Sequence, residues 1–290
     1  KKWTAMAPHI IFTSFNLNGS ILKFGASGIS IMISSLFLYF IPSYKRTLMN
    51  ESNAWWLCGS MGQYMGKMLL HLLMKMASLS PSNNDKLLNI EAKARICFLE
   101  KEPPLKDSVC FIGSSTFTYW TKLKENMDTC GVPLPCWNAA FGGSCTQHVE
   151  ENLNELCLKW KPSVIVFFCL TNDINMNRSC KTAEQNILNM FQKIHEQLPL
   201  TKIVYLASSL TPFVYWRGGS YISLMKEYNK RMYNHILELS YVEFVDNAEF
   251  QKHPNLYLGD AHHLNFEGHM KLAQHLTPAI NRAINTYQKK

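Results

Sequence analysis

Two parts of this chain have residue types and spacing suited to covalent chemistry. One is a serine that follows a glycine, in Gly113-Ser114-Ser115-Thr116; the other is a histidine three residues after an aspartate, in Asp260-Ala261-His262-His263. A serine hydroxyl becomes a useful nucleophile when an imidazole takes its proton. A carboxylate beside that imidazole fixes its tautomer and stabilises the imidazolium. The spacing of Asp260 and His263 lets one turn of chain bring the two together. Between these stretches lie Asn138-Ala139-Ala140-Phe141-Gly142-Gly143 and Thr171-Asn172-Asp173. Paired glycines let backbone N–H groups come close to a ligand, and an Asn amide can donate to a developing negative charge. Each stretch also has a plain structural use. Ser and Thr cap helices, Gly-Gly makes turns, Asn and Asp cap turns, and an Asp-x-x-His pair is common by chance. Their order and number, taken together, suit serine-dependent acyl transfer.

All four stretches follow short apolar runs. Val109–Ile112, Pro135–Asn138, Val164–Cys169, Ile203–Leu206 and Val242–Val245 read as strands. Helical patterns lie between them: through about Met127, then about Thr146–Lys159, Lys181–Leu198 and Tyr221–Leu239, with a last one after Asn265. Strands alternating with helices imply a parallel sheet covered on both faces. The ligand crevice of such a sheet lies at the carboxyl ends of its strands, where the four stretches stand. Thr211-Pro-Phe-Val-Tyr-Trp216-Arg-Gly-Gly219 either lines an acyl or alcohol pocket or covers the sheet edge.

The four stretches, in this order, resemble the blocks of the SGNH (GDSL-type) hydrolases, over roughly Lys106 to the C-terminus. Gly113-Ser114-Ser115 matches that family's Gly-Asp-Ser, with Ser114 in place of Asp, and the resemblance implies Ser115 as nucleophile. Asn138–Gly143 looks like the second block and implies Gly143 as a backbone oxyanion donor. Thr171-Asn172-Asp173 resembles the end of Gly-x-Asn-Asp, with Leu170 where the family has Gly, and implies Asn172 as a side-chain donor. Asp260-Ala-His-His263 implies Asp260 and His263 as the other triad members and selects His263 over His262. The implied fold is a flavodoxin-like three-layer α/β/α sandwich with a central parallel sheet of about five strands. The implied activity is ester hydrolysis through an acyl-enzyme, without a cofactor. Acyl transfer with the same triad, or a catalytically silent binding module, is the alternative.

The first hundred residues lie outside that resemblance, and a domain boundary is placed near residue 100, giving regions 1–100 and 101–290. Phe24–Ile41 carries no charge and, at about 18 residues, reaches the lower limit for a membrane-spanning helix. Residues 21–41 are therefore read as a membrane anchor in a hydrophobic helical region. Met68–Leu79 is read as an amphipathic helix, and Glu91–Glu102 as a short polar connection. The 290 residues are 47% hydrophobic and 17% charged, which excludes a disordered chain. A formal charge of +8 is spread along the chain without a dense basic run, which argues against nucleic-acid binding and favours proximity to anionic lipid. Nine cysteines, an odd number without a CxxC pair, read as reduced and buried, favouring a catalytic domain that faces the cytosol. No Cys/His spacing suits zinc. Asn-x-Ser sequences at Asn18, Asn50 and Asn177 keep a lumenal location open. The partner implied is a small-molecule, lipid or carbohydrate ester; oligomeric state is left open.

Overall fold

The computed structural model of the chain describes residues 81–247 and 253–288. The anchor read at 21–41 and the amphipathic helix read at Met68–Leu79 lie outside the described residues. Among the described residues no helix is long and apolar enough to cross a membrane.

Among the described residues the strands are β1 (Val109–Gly113), β2 (Cys136–Asn138), β3 (Val164–Phe168), β4 (Lys202–Leu206) and β5 (Val242–Val245). They form one sheet in the order β2-β1-β3-β4-β5, every neighbouring pair parallel. β1 and β3 are buried at every position, which explains their unbroken apolar runs: a strand covered on both faces has no reason to alternate. Their side chains still divide by parity. Cys110, Ile112, Ile165 and Phe167 enter one core, and Val109, Phe111, Val164, Val166 and Phe168 the other.

The first core is closed by α1 (Pro81–Lys101), α4 (Thr146–Glu151), α5 (Leu153–Leu156), α7 (Cys180–Gln197) and α9 (Gly219–Leu237). The second is closed by α2 (Ser115–Thr118), α3 (Leu123–Thr129) and α10 (Phe266–Gln288). Two short helices, α6 (Thr171–Asn175) and α8 (Pro212–Arg217), follow β3 and β4. The result is a three-layer α/β/α sandwich. Its strand order reverses between β1 and β3, the point at which this topology opens a crevice.

Local structure departs from the periodic reading in three places. The helix expected through Met127 is two, because Trp120 turns into the core between them and stacks on His269. The segment expected as one helix to Lys159 is interrupted at Asn152, whose side chain donates to His148 O at 2.9 Å, and ends in a 3₁₀ turn, Leu158–Trp160. Residues 91–102, read as a polar connection, are mostly the second half of α1, which buries Leu88, Ala92 and Leu99. A narrow apolar stripe on an otherwise polar helix carries little periodic signal. The eight described cysteines are all free, and five of them are buried.

Candidate active site

β1 delivers Ser115 to the crevice. Gly113 has φ +143, and a Cβ there would stand 1.8 Å from Phe168 O. Only glycine therefore lets the end of β1 run this close to the end of β3. Ser115 then opens α2, and Phe117, two residues on, packs against both strands. Its ring meets Phe111 at 5.3 Å and Phe168 at 5.9 Å. Burying a side chain of this size contributes about 1.5–3 kcal/mol, which fixes the helix and with it the serine. Ser115 is only 8% exposed.

The histidine arrives from the far end of the sequence. His263 Nε2 lies 2.9 Å from Ser115 Oγ, and its Nδ1 lies 2.6 Å from Asp260 Oδ2. The other carboxylate oxygen of Asp260 accepts the backbone N–H groups of His262 and His263, both at 3.0 Å. Ala261 takes φ +57 to make that turn, a left-handed conformation that costs an L-residue roughly 1–2 kcal/mol. Partial burial pushes the Asp260 carboxyl up. The side chain and backbone N–H of His263 and the N–H of His262 outweigh it and hold the group well below the usual carboxylate range. Tyr119 packs edge-on against the His263 ring, 4.5 Å between centroids. His262 instead faces Thr211 Oγ1 at 3.3 Å and the Phe213 ring at 5.4 Å.

The other two stretches lie on the opposite flank. Asn172, in the first turn of α6, donates to Ser144 O at 3.0 Å. Ser144 Oγ donates to Gly113 O at 3.0 Å, tying the second stretch to the first. Leu170 buries its side chain in the core, so Asn172 reaches the crevice without the family's glycine. Asp173 points inward and accepts from the Thr146 hydroxyl at 2.8 Å and backbone N–H at 3.0 Å. Burial pushes its carboxyl up, opposed by those bonds and by Arg178. Gly143 has φ +76 and turns its Cα toward Leu88 of α1.

A small cavity of about 20 Å³ opens at this point. Its lining includes Ser115, Asn172 and His262, together with Ser209, Thr211, Asn247 and Tyr257. Of the five residues singled out by sequence, Ser115, Asp260 and His263 form one hydrogen-bonded line, Asn172 shares the cavity with Ser115, and Gly143 stands behind, outside its lining. Sequence reading missed Ser209, Asn247, Tyr119 and Tyr257. Ser209 and Asn247 come within three residues of the ends of β4 and β5, so the strand-end rule that found the four stretches points to them also. Tyr119 and Tyr257 carry no such signal. Among the described residues no group of three His, Cys, Asp or Glu is arranged to hold a metal.

No family model matches the chain, and no curated protein does. Solved structures do. A proposed platelet activating factor of Streptococcus pneumonia aligns with a TM-score of 0.57 at 20% identity, over 74% of this chain and 99% of its own. A proposed acylhydrolase of Bacteroides fragilis aligns at 0.56 and 17% identity, over 66% and 96%. A GDSL-like lipase of Bacteroides thetaiotaomicron aligns at 0.54 and 16% identity, over 65% and 98%. At these identities the likeness is one of fold.

Proposed function

Because this chain has the fold of the SGNH (GDSL-type) hydrolases, we propose that it is a serine-dependent ester hydrolase with Ser115, His263 and Asp260 as its triad. The observation that carries the reading is the unbroken line from Ser115 Oγ through His263 to Asp260, at 2.9 and 2.6 Å. His263 Nε2 takes the hydroxyl proton as Ser115 Oγ attacks the ester carbonyl carbon. Asp260 keeps the other ring nitrogen protonated and faces the positive charge that forms. The tetrahedral oxyanion is met by the backbone N–H of Ser115 and the Asn172 amide, both of which line the cavity and the second of which has an N–H not needed for Ser144; the Gly143 N–H, outside that lining, is the third donor that the family resemblance implies. His263 returns the proton to the leaving alcohol oxygen, leaving an acyl-serine. Water, deprotonated by the same ring, then releases the acid and restores the serine.

A fluorophosphonate probe tests this. The full chain is expected to be labelled at Ser115 and to hydrolyse p-nitrophenyl acetate, and Ser115→Ala is expected to lose both. A folded wild-type protein that takes no label and shows no turnover would end the reading.

A further inference from the structure

The cavity beside Ser115 is built for hydrogen bonds. At about 20 Å³ it has room for little more than one group the size of a water molecule, which needs roughly 10–15 Å³ on this measure. The wall away from the oxyanion loops carries Ser209, Thr211, Asn247 and Tyr257. Ser209 Oγ and Tyr257 OH stand 3.3 Å apart. Asn247 is 5% exposed, and its amide oxygen has no hydrogen-bond partner among the described residues. A buried amide oxygen left unpaired is costly, and a ligand group that donates to it removes that cost on binding. A carboxamide flanked by hydroxyls suits a ligand hydroxyl, which both donates and accepts.

The segment that carries His263 says which end of an ester lies there. The oxyanion donors proposed above come from the loops after β2, β1 and β3. Ser209 and Asn247 follow β4 and β5, which stand beyond β3 from the nucleophile strand β1 in the order β2-β1-β3-β4-β5. Tyr257 and His262 belong to the same segment as His263, the group that must reach the leaving oxygen to protonate it. The alcohol therefore lies on this flank. We infer that Asn247, Ser209 and Tyr257 form a subsite for a hydroxyl of the alcohol, and that the substrate is an ester of a polyol or sugar. This rests on the ester-hydrolase reading and narrows it.

The test compares methyl mono-O-acetyl-glucoside with cyclohexyl acetate, which has the same acyl group and a six-membered ring without hydroxyls. The full chain is expected to favour the glucoside in kcat/KM by at least about tenfold, since a site built to bond a hydroxyl rejects its absence. Asn247→Ala is expected to bring that ratio down about tenfold, and the milder Ser209→Ala about threefold, in proteins of wild-type fold by circular dichroism. A wild-type ratio near one overturns the inference, as does a ratio that neither folded variant changes. Preference for ethyl lactate without preference for the glucoside would put the hydroxyl on the acyl side and overturn it too. Fluorophosphonate labelling of Ser115 separates the two levels. Label with no hydroxyl preference ends this inference alone, while no label and no turnover ends both.

Discussion

The two flanks of the crevice are held in different ways. On the flank of the proposed nucleophile, side chains bond directly to one another: Ser115 to His263 to Asp260. On the flank of Gly143 and Asn172, bonds run behind the site instead, from Asn172 to Ser144 O, from Ser144 to Gly113 O, and from Thr146 to the buried carboxylate of Asp173. A chain of side chains that act in sequence fails as a unit when one is removed. A scaffold that aims separate donors loses one contribution at a time. The buried titratable groups behind each flank differ too. Burial pushes Asp173 up behind the donor loops, and pushes His269, behind the nucleophile loop, down to about 4.

The strongest break of this contrast is at the histidines. His263→Ala is expected to lower kcat on p-nitrophenyl acetate by about 10⁴-fold or more, the scale of losing a triad member. His262→Ala is expected to keep most of it, because that ring faces Thr211 and Phe213. A pH–rate profile of both variants checks this, and a dead His262 variant beside an active His263 variant would reverse the assignment.

On the other flank Asn172→Ala is expected to lower kcat by about 10²–10³ with KM little changed, the cost of one oxyanion donor. Steady-state kinetics on the same ester decide it. A near-normal kcat in a folded variant would leave the oxyanion to the Ser115 and Gly143 N–H groups.

The smallest effect concerns stability and sharpens the comparison of buried groups. His269 stacks on Trp120 at 5.3 Å and faces Thr116 O at 3.3 Å. Burial, only partly offset by Thr116 O, lowers it from 6.5 to about 4. Between those values the unfolded chain takes up a proton that the folded chain refuses, so folded stability is complete above about pH 6.5 and falls on acidification. The slope is at most about 1.4 kcal/mol per pH unit. His269→Phe is expected to flatten this part of the urea-unfolding profile, and an unchanged slope would show that His269 does not set it.

Much of this was legible in the sequence because it rests on local pattern. The runs at Val109, Val164 and Ile203 are strands because nothing polar interrupts them, and the four chemical stretches stand at strand ends because loops do. What was not legible depends on which side chains meet across the sheet. Trp120 and Asn152 break helices whose periodicity reads as continuous, through contacts with residues elsewhere in space or one turn away. The apolar stripe of α1 is three buried residues wide in a polar sequence. Asn247 looks like an ordinary turn residue until its amide is found buried beside Ser115. Leu170 departs from the family pattern, yet its side chain simply turns into the core and leaves Asn172 at the crevice.

Ser115 and His263 are 148 residues apart, so their contact is one of long sequence range. A β1–α2 loop is local and can form early, whereas its meeting with His263 closes nearly the whole sheet, and contacts of such long sequence range are slow to form. The segment that brings His263 is anchored by α10, through Leu272, Leu276 and Ile280 in the second core. A chain still being synthesised, or stopped before α10, therefore carries a serine hydroxyl with no base beside it. If Ser115 is the nucleophile proposed above, the docking of α10 brings its base to it in the same step that closes the second core.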